Sequence, residues 1–253
     1  MRPHLPTPAY VISDAHIGAA QPEAERTLVT FAAGAARDAR ALVINGDLFD
    51  FWFEWRRVMP RAGYRALAAL AALREAGVDV LWIAGNHDCW GGGPLTDAGV
   101  SYHVGPWRGT IGSWETLIEH GDGLRDAEDA PYRRLRAVLR NRAATWAFRH
   151  LLHPDWATGL ASRTSHTSRN MRPRDGGEGL RSVALARLAA EPGLDLYLYG
   201  HSHAEALERA PAGGVYANPG AWMDCPQAVK ILDDRVSLVR VEGRPRITGE
   251  LRR

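Results

Sequence analysis

Apolar positions along the chain fall into two periods. Short runs rich in β-branched residues recur at "AYVIS" (9–13), "ALVIN" (41–45), "VDVLWIA" (78–84), "ETLIEH" (115–120) and "LDLYLYG" (194–200). Runs of this length, bounded by turn residues, read as strands. Two longer segments with helical spacing separate the first three: "PEAERTLVTFAAGAARDA" (22–39), with proline in its first turn, and "AGYRALAALAALREAG" (62–77), closed by Gly77. That alternation predicts βαβ units and a largely parallel sheet. After residue 210 the texture changes. "GVYANPG", "AVKILDD" and "VSLVRVEG" are short strands with turn residues and no helix between them, which predicts a second, more antiparallel sheet. "RNMRPRDGGEG" (169–179) reads as a loop. With no repeat and no low-complexity linker, residues 1–253 are expected to form one domain, with an inserted helical segment over about 125–175.

Composition narrows this only slightly. A chain of 253 residues with 45% hydrophobic and 24% charged residues has an ordinary globular balance, which excludes a disordered chain. A net charge of +2 singles out no partner. The two cysteines, Cys89 and Cys225, cannot build a disulfide framework or a Cys-type zinc site. No window reaches the ~20 apolar residues of a membrane span, and no signal-peptide-like run opens the sequence, so a soluble, cytoplasmic protein is expected.

The strand ends change the picture. The first run ends in "SDAH", with Asp14 and His16, and the second in "NGDLFD", with Asp47. The third ends in "GNHD", with Asn86, His87 and Asp88. The fourth ends in "EHGD", with His120, and the fifth in "YGHSH", with His201 and His203. Ligands of α/β sheets bind at the carboxyl ends of strands. Imidazole, carboxylate and amide oxygen without thiolate suit Mn²⁺, with Fe²⁺ or Zn²⁺ as alternatives. Seven of them, Asp14, His16, Asp47, Asn86, His120, His201 and His203, are too many for one ion with open positions and suit two ions sharing a carboxylate. Metals ~3.5–4 Å apart can activate water and clamp both oxygens of an in-line phosphoryl displacement. Any one of these clusters could be turn chemistry, but all five in this order are hard to credit as coincidence.

This ordered set resembles the calcineurin-like metallophosphoesterases from Ser13 to at least Trp222. The resemblance implies a four-layer α/β/β/α sandwich of two mixed sheets. It assigns Asp14, His16 and His203 to one metal and Asn86, His120 and His201 to the second, with Asp47 bridging. His87 would face the phosphoryl group as a catalytic residue, with Asp88 orienting its ring. "GDLFDFW", "HGDGLRDAEDAPYRRLR" and "NPGAWMD" are similar to the UDP-2,3-diacylglucosamine diphosphatases of lipid A synthesis and their relatives. The best-known members of that group carry Arg where this chain has His87, and "GHSHAE" replaces their Gly-His-Thr-His-Arg-Pro. The implied substrate is a phosphorylated small molecule or lipid nucleotide. A DNA exonuclease or nucleotide phosphodiesterase of the same superfamily is the first alternative. A catalytically silent binding module is the second.

Residues 131–174 carry arginines at 133, 134, 136, 140, 142, 149, 163, 169, 172 and 174 against the single acid Asp155. Leu135, Val138, Leu139, Ala143 and Trp146 share one helical face. One reading is a solvated helix with that face on the core. The other is an Arg-rich lid, with Arg133, Arg136 and Arg140 meeting an anionic substrate and apolar residues taking a lipid tail or a base. Such a segment could also touch a membrane surface or grip nucleic acid. Asp50 and Asp122 read as carboxylates holding histidine tautomers or as loop caps. Phe51, Trp52, Phe53 and Trp55 read as inter-layer core, and Cys89 as a packing residue. His4, His103, His150, His153 and His166 have no motif context and read as surface or core residues.

Overall fold

Buried strands with both faces covered need apolar residues at every position, and the first three runs satisfy this. In the computed structural model, which describes residues 2–55, 57–125, 128–159, 175–241 and 245–253, they become β2 (Ala9–Ile12), β3 (Ala41–Asn45) and β4 (Asp79–Ile83). These pair in parallel in register, with Val11 opposite Val43 and Val43 opposite Leu81. β5 (Ser101–His103) extends the sheet beyond β4. On the other side β11 (Gln227–Ile231), β12 (Arg235–Arg240) and β13 (Arg246–Arg252) add antiparallel strands, giving the order β13-β12-β11-β2-β3-β4-β5. A second sheet runs β1 (His4–Leu5), β6 (Trp107–Ile111), β7 (Trp114–Ile118), β8 (Leu196–Leu198), β10 (Val215–Pro219), β9 (Glu205–Arg209).

The strands after residue 210 therefore do not form a sheet of their own. β10 joins the second sheet between β8 and β9, while β11 to β13 extend the first. Turn-linked strands disclose that they are antiparallel, but their alternation carries no label for the sheet that receives them.

Alternate residues of each strand feed different layers. Ile12, Leu42, Ile44 and Val80 pack under α1 (Pro22–Asp38) and α2 (Tyr64–Glu75), against Leu28, Leu67 and Leu70. Val11, Val43, Leu81 and Ile83 point the other way and meet Ile118, Leu196, Leu198 and Val215 of the second sheet. Leu117, Tyr197, Tyr199 and Tyr216 then pack under Leu180, Ala184 and Leu188 of α6 (Glu178–Ala190). The result is the four-layer α/β/β/α sandwich. α6 begins at Glu178, inside the stretch read as loop, because Gly177 at φ 89° supplies its N-terminal turn. Residues 160–174, with Arg163, His166, Arg169, Arg172 and Arg174, lie outside the described residues.

Short α3 (Gly93–Asp97) follows β4, and α4 (Ala130–Leu139) and α5 (Arg142–Leu151) fall between β7 and α6. Phe148 of α5 seats in an aromatic cluster with Phe53 and Trp55, its ring 4.8 Å and 6.2 Å from theirs, and Trp90 packs on Phe53. Phe53 and Trp55 thus carry the inserted helices, whereas Trp52 stacks on Phe49 in the helix-facing core. The apolar face of α4 and α5 is turned outward. Leu135, Val138, Leu139 and Trp146 are exposed, Val138 at 61% and Trp146 at 57%, and Arg133, Arg136 and Arg140 turn inward. The reading that puts the apolar face on the core is overturned.

Candidate metal centre

The ends of β2, β3, β4, β7 and β8 converge on one edge of the sandwich. Three groups of ligand-capable atoms lie there, each within 4.8 Å of one another: Asp14, His16 and His203; His16, Asp47 and His87; Asp47, His120 and His201. Asn86 sits on the same edge, on the turn after β4. Asp47 is common to two groups, and its Oδ2 lies 3.2 Å from His120 Nε2 and 3.9 Å from His16 Nε2. Asp14 Oδ1 lies 3.4 Å from His203 Nε2.

The backbone is distorted at these positions. Among the described residues, the non-glycine positions with positive φ are Asp14 (54°), His16 (43°), Asp47 (52°), His201 (57°) and His203 (59°). All five are predicted ligands. A left-handed residue costs about 1–3 kcal/mol and persists only where its surroundings over-determine it. Here backbone bonds do so: Asp14 N donates to Gly46 O at 3.1 Å, His16 N to Asp47 O at 3.0 Å, and His201 N to Asp14 Oδ2 at 3.0 Å.

Glycine at the strand ends has a steric cause. A Cβ on Gly85 would sit 2.1 Å from Asp47 Oδ1, and one on Gly46 would sit 2.1 Å from His120 Nδ1. Gly85→Ala is therefore expected to displace Asp47. Misplacement on the ~1 Å scale costs about 100-fold in rate, and metal content measured by elemental analysis should fall with it.

Electrostatics separate the groups into charged and neutral. Burial would raise the Asp14 carboxyl, but His203 beside it brings it down to about 2. Burial likewise opposes ionisation of Asp47, yet His120 and His87 hold it well below the ordinary range. Burial pushes His16 down to about 3 despite Asp47, and burial with His120 lowers His201. Burial also opposes the charged form of His120, which Asp47 nevertheless raises well above the ordinary histidine value. Anionic carboxylates with neutral imidazoles are the states that metal ligation requires, and at His120 a proton and a cation would compete. His16 Nε2 and Asn86 Oδ1 are buried and make no hydrogen bond among the described residues. Such atoms cost about 1–3 kcal/mol unless something satisfies them. A divalent cation fits that need, and the O/N donor set suits it.

Several supporting residues differ from the sequence reading. Asp88 directs its carboxylate to the main chain of both turns. Its Oδ2 accepts from Leu48 N at 2.8 Å and Trp82 Nε1 at 3.2 Å, and its Oδ1 from Gly85 N at 2.7 Å, so it ties the β3 turn to the β4 turn. Burial, with Asp47 nearby, raises its carboxyl to about 7. The ring of His87 is held by a backbone carbonyl: Nδ1 donates to Asp50 O at 2.8 Å. His120 Nδ1 donates to Asn45 O at 2.8 Å rather than to Asp122. The Asp50 carboxylate does stand 3.9 Å from His16 Nδ1.

Asp122 instead receives the inserted helix. Tyr132 Oη donates to its Oδ2 at 2.8 Å, and Arg136 Nη1 lies 3.3 Å and Arg140 Nη2 3.5 Å from the same oxygen. Arg133 bonds the carbonyls of Arg125 and Gly123 at 2.8 Å and 3.4 Å. Burial raises the Cys89 thiol to about 12 even with Arg140 beside it, in keeping with a packing role.

Ser13, Asn218 and Asp224 escaped the sequence reading. Ser13 Oγ lies within hydrogen-bond reach of Asp14 Oδ2 and Asn45 O, which share its one proton. Asn218 Nδ2 donates to Gly200 O and Ser202 Oγ, both at 3.0 Å, and Asp224 Oδ2 lies 3.6 Å from His203 Nδ1. For the first two a signal existed, since each is a polar residue at the buried end of an apolar strand. Asp224 closes the quoted "NPGAWMD", which was the signal available for it.

Known proteins similar to this chain bear on its family and its fold. The family described as calcineurin-like phosphoesterase matches residues 7–205. A "UDP-2,3-diacylglucosamine hydrolase" of Porphyromonas gingivalis is 32% identical over 216 residues, covering 77% of this chain and 82% of that protein. A protein of the same name from Neisseria meningitidis serogroup B is 30% identical over 241 residues, covering 93% and 95%. A crystal structure of a Vps29 mutant from Entamoeba histolytica aligns with a TM-score of 0.50 at 14% identity over 97% of this chain and 98% of that one, which concerns the fold alone.

Proposed function

We propose that this chain, which belongs to the calcineurin-like phosphoesterases and is a hydrolase of that family, cleaves a pyrophosphate or phosphodiester bond with two divalent ions, Mn²⁺ first. The favoured substrate is a UDP-sugar lipid such as UDP-2,3-diacylglucosamine, after the names of its relatives. One observation carries the lipid part. A cavity of about 600 Å³ opens between the turn after β3 and the segment after α5, lined by Ile17, Asp50, Phe51, Trp55, Val58 and Met59 among others. It shares Asp50 with the metal edge and has an apolar wall, as an acyl-bearing substrate requires.

Asp14, His16 and His203 would hold one ion, Asn86, His120 and His201 the other, and Asp47 both. When bound, the metals supply Lewis-acid polarisation of the phosphoryl oxygens and activation of water. The protein positions and moves a proton. Nδ1–H of His87 donates to Asp50 O, which fixes the ring on the metal edge, and in this reading its Nε2 faces the phosphoryl group. Protonated there, it stabilises developing negative charge and donates to the leaving oxygen. Exposed Leu135, Val138, Trp146, Leu151 and Trp156 on the inserted segment, beside Arg134 and Arg142, support a peripheral contact with an anionic membrane surface, where a lipid substrate resides. No helix among the described residues is long and apolar enough to cross a membrane.

A screen of Mn²⁺-reconstituted protein against UDP-2,3-diacylglucosamine, ADP-ribose, nucleotide phosphodiesters, linear DNA and simple monoesters tests the assignment. UDP-2,3-diacylglucosamine is expected to turn over fastest, with release of UMP. Turnover of monoesters alone overturns the diphosphatase reading, and preference for linear DNA moves it to the nuclease alternative.

A further inference from the structure

The inserted helix α4 meets the metal edge through one carboxylate. Tyr132, Arg136 and Arg140 lie four residues apart, on one face of the helix, and all three reach Asp122 Oδ2. Arg136 Nη1 also donates to Asp122 O at 2.9 Å. Asp122 stands two residues beyond His120 and is buried. Arg140 is simultaneously beside the thiol of Cys89, two residues beyond His87. Its guanidinium therefore occupies the gap between the β4 turn and the β7 turn.

Among the described residues, two guanidinium groups face one carboxylate, with the Cys89 thiol as a further partner of Arg140, and their contacts to the carboxylate, at 3.3 Å and 3.5 Å, are long for charge-assisted bonds. Arg140 Nε is buried and makes no hydrogen bond among the described residues. The arrangement holds donors ready that Asp122 alone does not satisfy. What such a pair of arginines takes is a second anion with several acceptor oxygens, and a phosphoryl group is the best match for planar guanidinium donors.

Resting on the diphosphatase reading, we infer that Arg136 and Arg140 bind the phosphoryl group that does not react, and that Asp122 is the positioning residue that holds them. Asp122 sets the two guanidinium groups side by side against their mutual repulsion, at the mouth of the metal edge. A substrate with two adjacent phosphates gains from this pair, and a substrate with one does not. The inserted helix thereby reads the number of phosphates.

The test uses competitive inhibition of bis-p-nitrophenyl phosphate hydrolysis by UDP and by UMP on the Mn²⁺-loaded full chain. The readout is the ratio of the two inhibition constants, which cancels any general loss of turnover. In the unaltered protein UDP is expected to inhibit more strongly than UMP. Asp122→Asn, which keeps size but weakens the bonds to both arginines, is expected to lower that preference about fivefold or more. Arg140→Gln is expected to do the same without touching Asp122, and it carries the test if Asp122→Asn fails to fold. Glu128→Gln, an exposed partner of Arg125, should leave the ratio unchanged. An unchanged or increased preference for UDP in both Asp122→Asn and Arg140→Gln overturns the inference. Absence of any UDP preference in the unaltered protein, together with turnover of monoesters alone in the screen, instead removes the diphosphatase reading beneath it.

Discussion

Asp47→Asn is expected to leave a folded protein that holds neither divalent ion stoichiometrically and has almost no turnover. The substitution is chosen because it changes little else. Asparagine tolerates the left-handed backbone that Asp47 adopts at φ 52°. Its amide oxygen can still accept the His87 N–H, which now reaches Asp47 Oδ1 at 2.9 Å. The Asp47 carbonyl continues to receive His16 N at 3.0 Å. What disappears is the negative charge shared between the two ligand groups that both include Asp47. Loss of an outer-sphere partner commonly costs ~10–100-fold in metal affinity or activity, and loss of a shared anionic ligand should exceed that. Elemental analysis after dialysis against Mn²⁺, with circular dichroism as the control for folding, reads the result. Full metal content with lost turnover would move Asp47 from ligand to catalytic group. Retention of both metal and turnover would overturn the site.

The extent to which this site could be read from sequence follows from what each residue does. β2, β3 and β4 were legible because strands covered on both faces read as unbroken apolar runs. Asp14, Asp47, Asn86, His120 and His201 were legible because a buried strand that stops at polar side chains needs a reason. The partners that hold the rings of His87 and His120 were not legible, whereas Asp50 beside His16 was. His87 and His120 are both held by main-chain carbonyls, of Asp50 and Asn45, and every residue carries a carbonyl. The carboxylate of Asp88 serves the amides of Leu48 and Gly85, and nothing in a sequence marks which amides a turn carboxylate will receive. Periodicity placed Leu135, Val138 and Trp146 on one face of the inserted helices without saying which way that face turns. Arginine facing the protein and leucine facing outward inverts the usual assumption, and only the convergence of Arg136 and Arg140 on Asp122 reveals it.

His87→Ala is expected to keep both metals while kcat falls by about 10²–10⁴-fold, the range of a lost general acid. Geometry alone permits two roles for this residue, because His87 also lies within ligand distance of His16 and Asp47. Its ring stands edge-on to that of His16, with centroids 4.9 Å apart. Two features favour the acid. Asp47 and His16 are each members of another ligand group that is complete without His87. Asn86, the preceding residue on the same turn, already presents a buried oxygen with no hydrogen-bond partner among the described residues. A ligand role for His87 would leave that oxygen unexplained. Metal stoichiometry of His87→Ala therefore separates the readings more sharply than its rate does, since both predict a slow enzyme. Two retained ions with a collapsed kcat identify His87 as the proton donor to the leaving oxygen. Loss of one ion makes it a ligand, and the donor must then be sought among the arginines of the inserted helix.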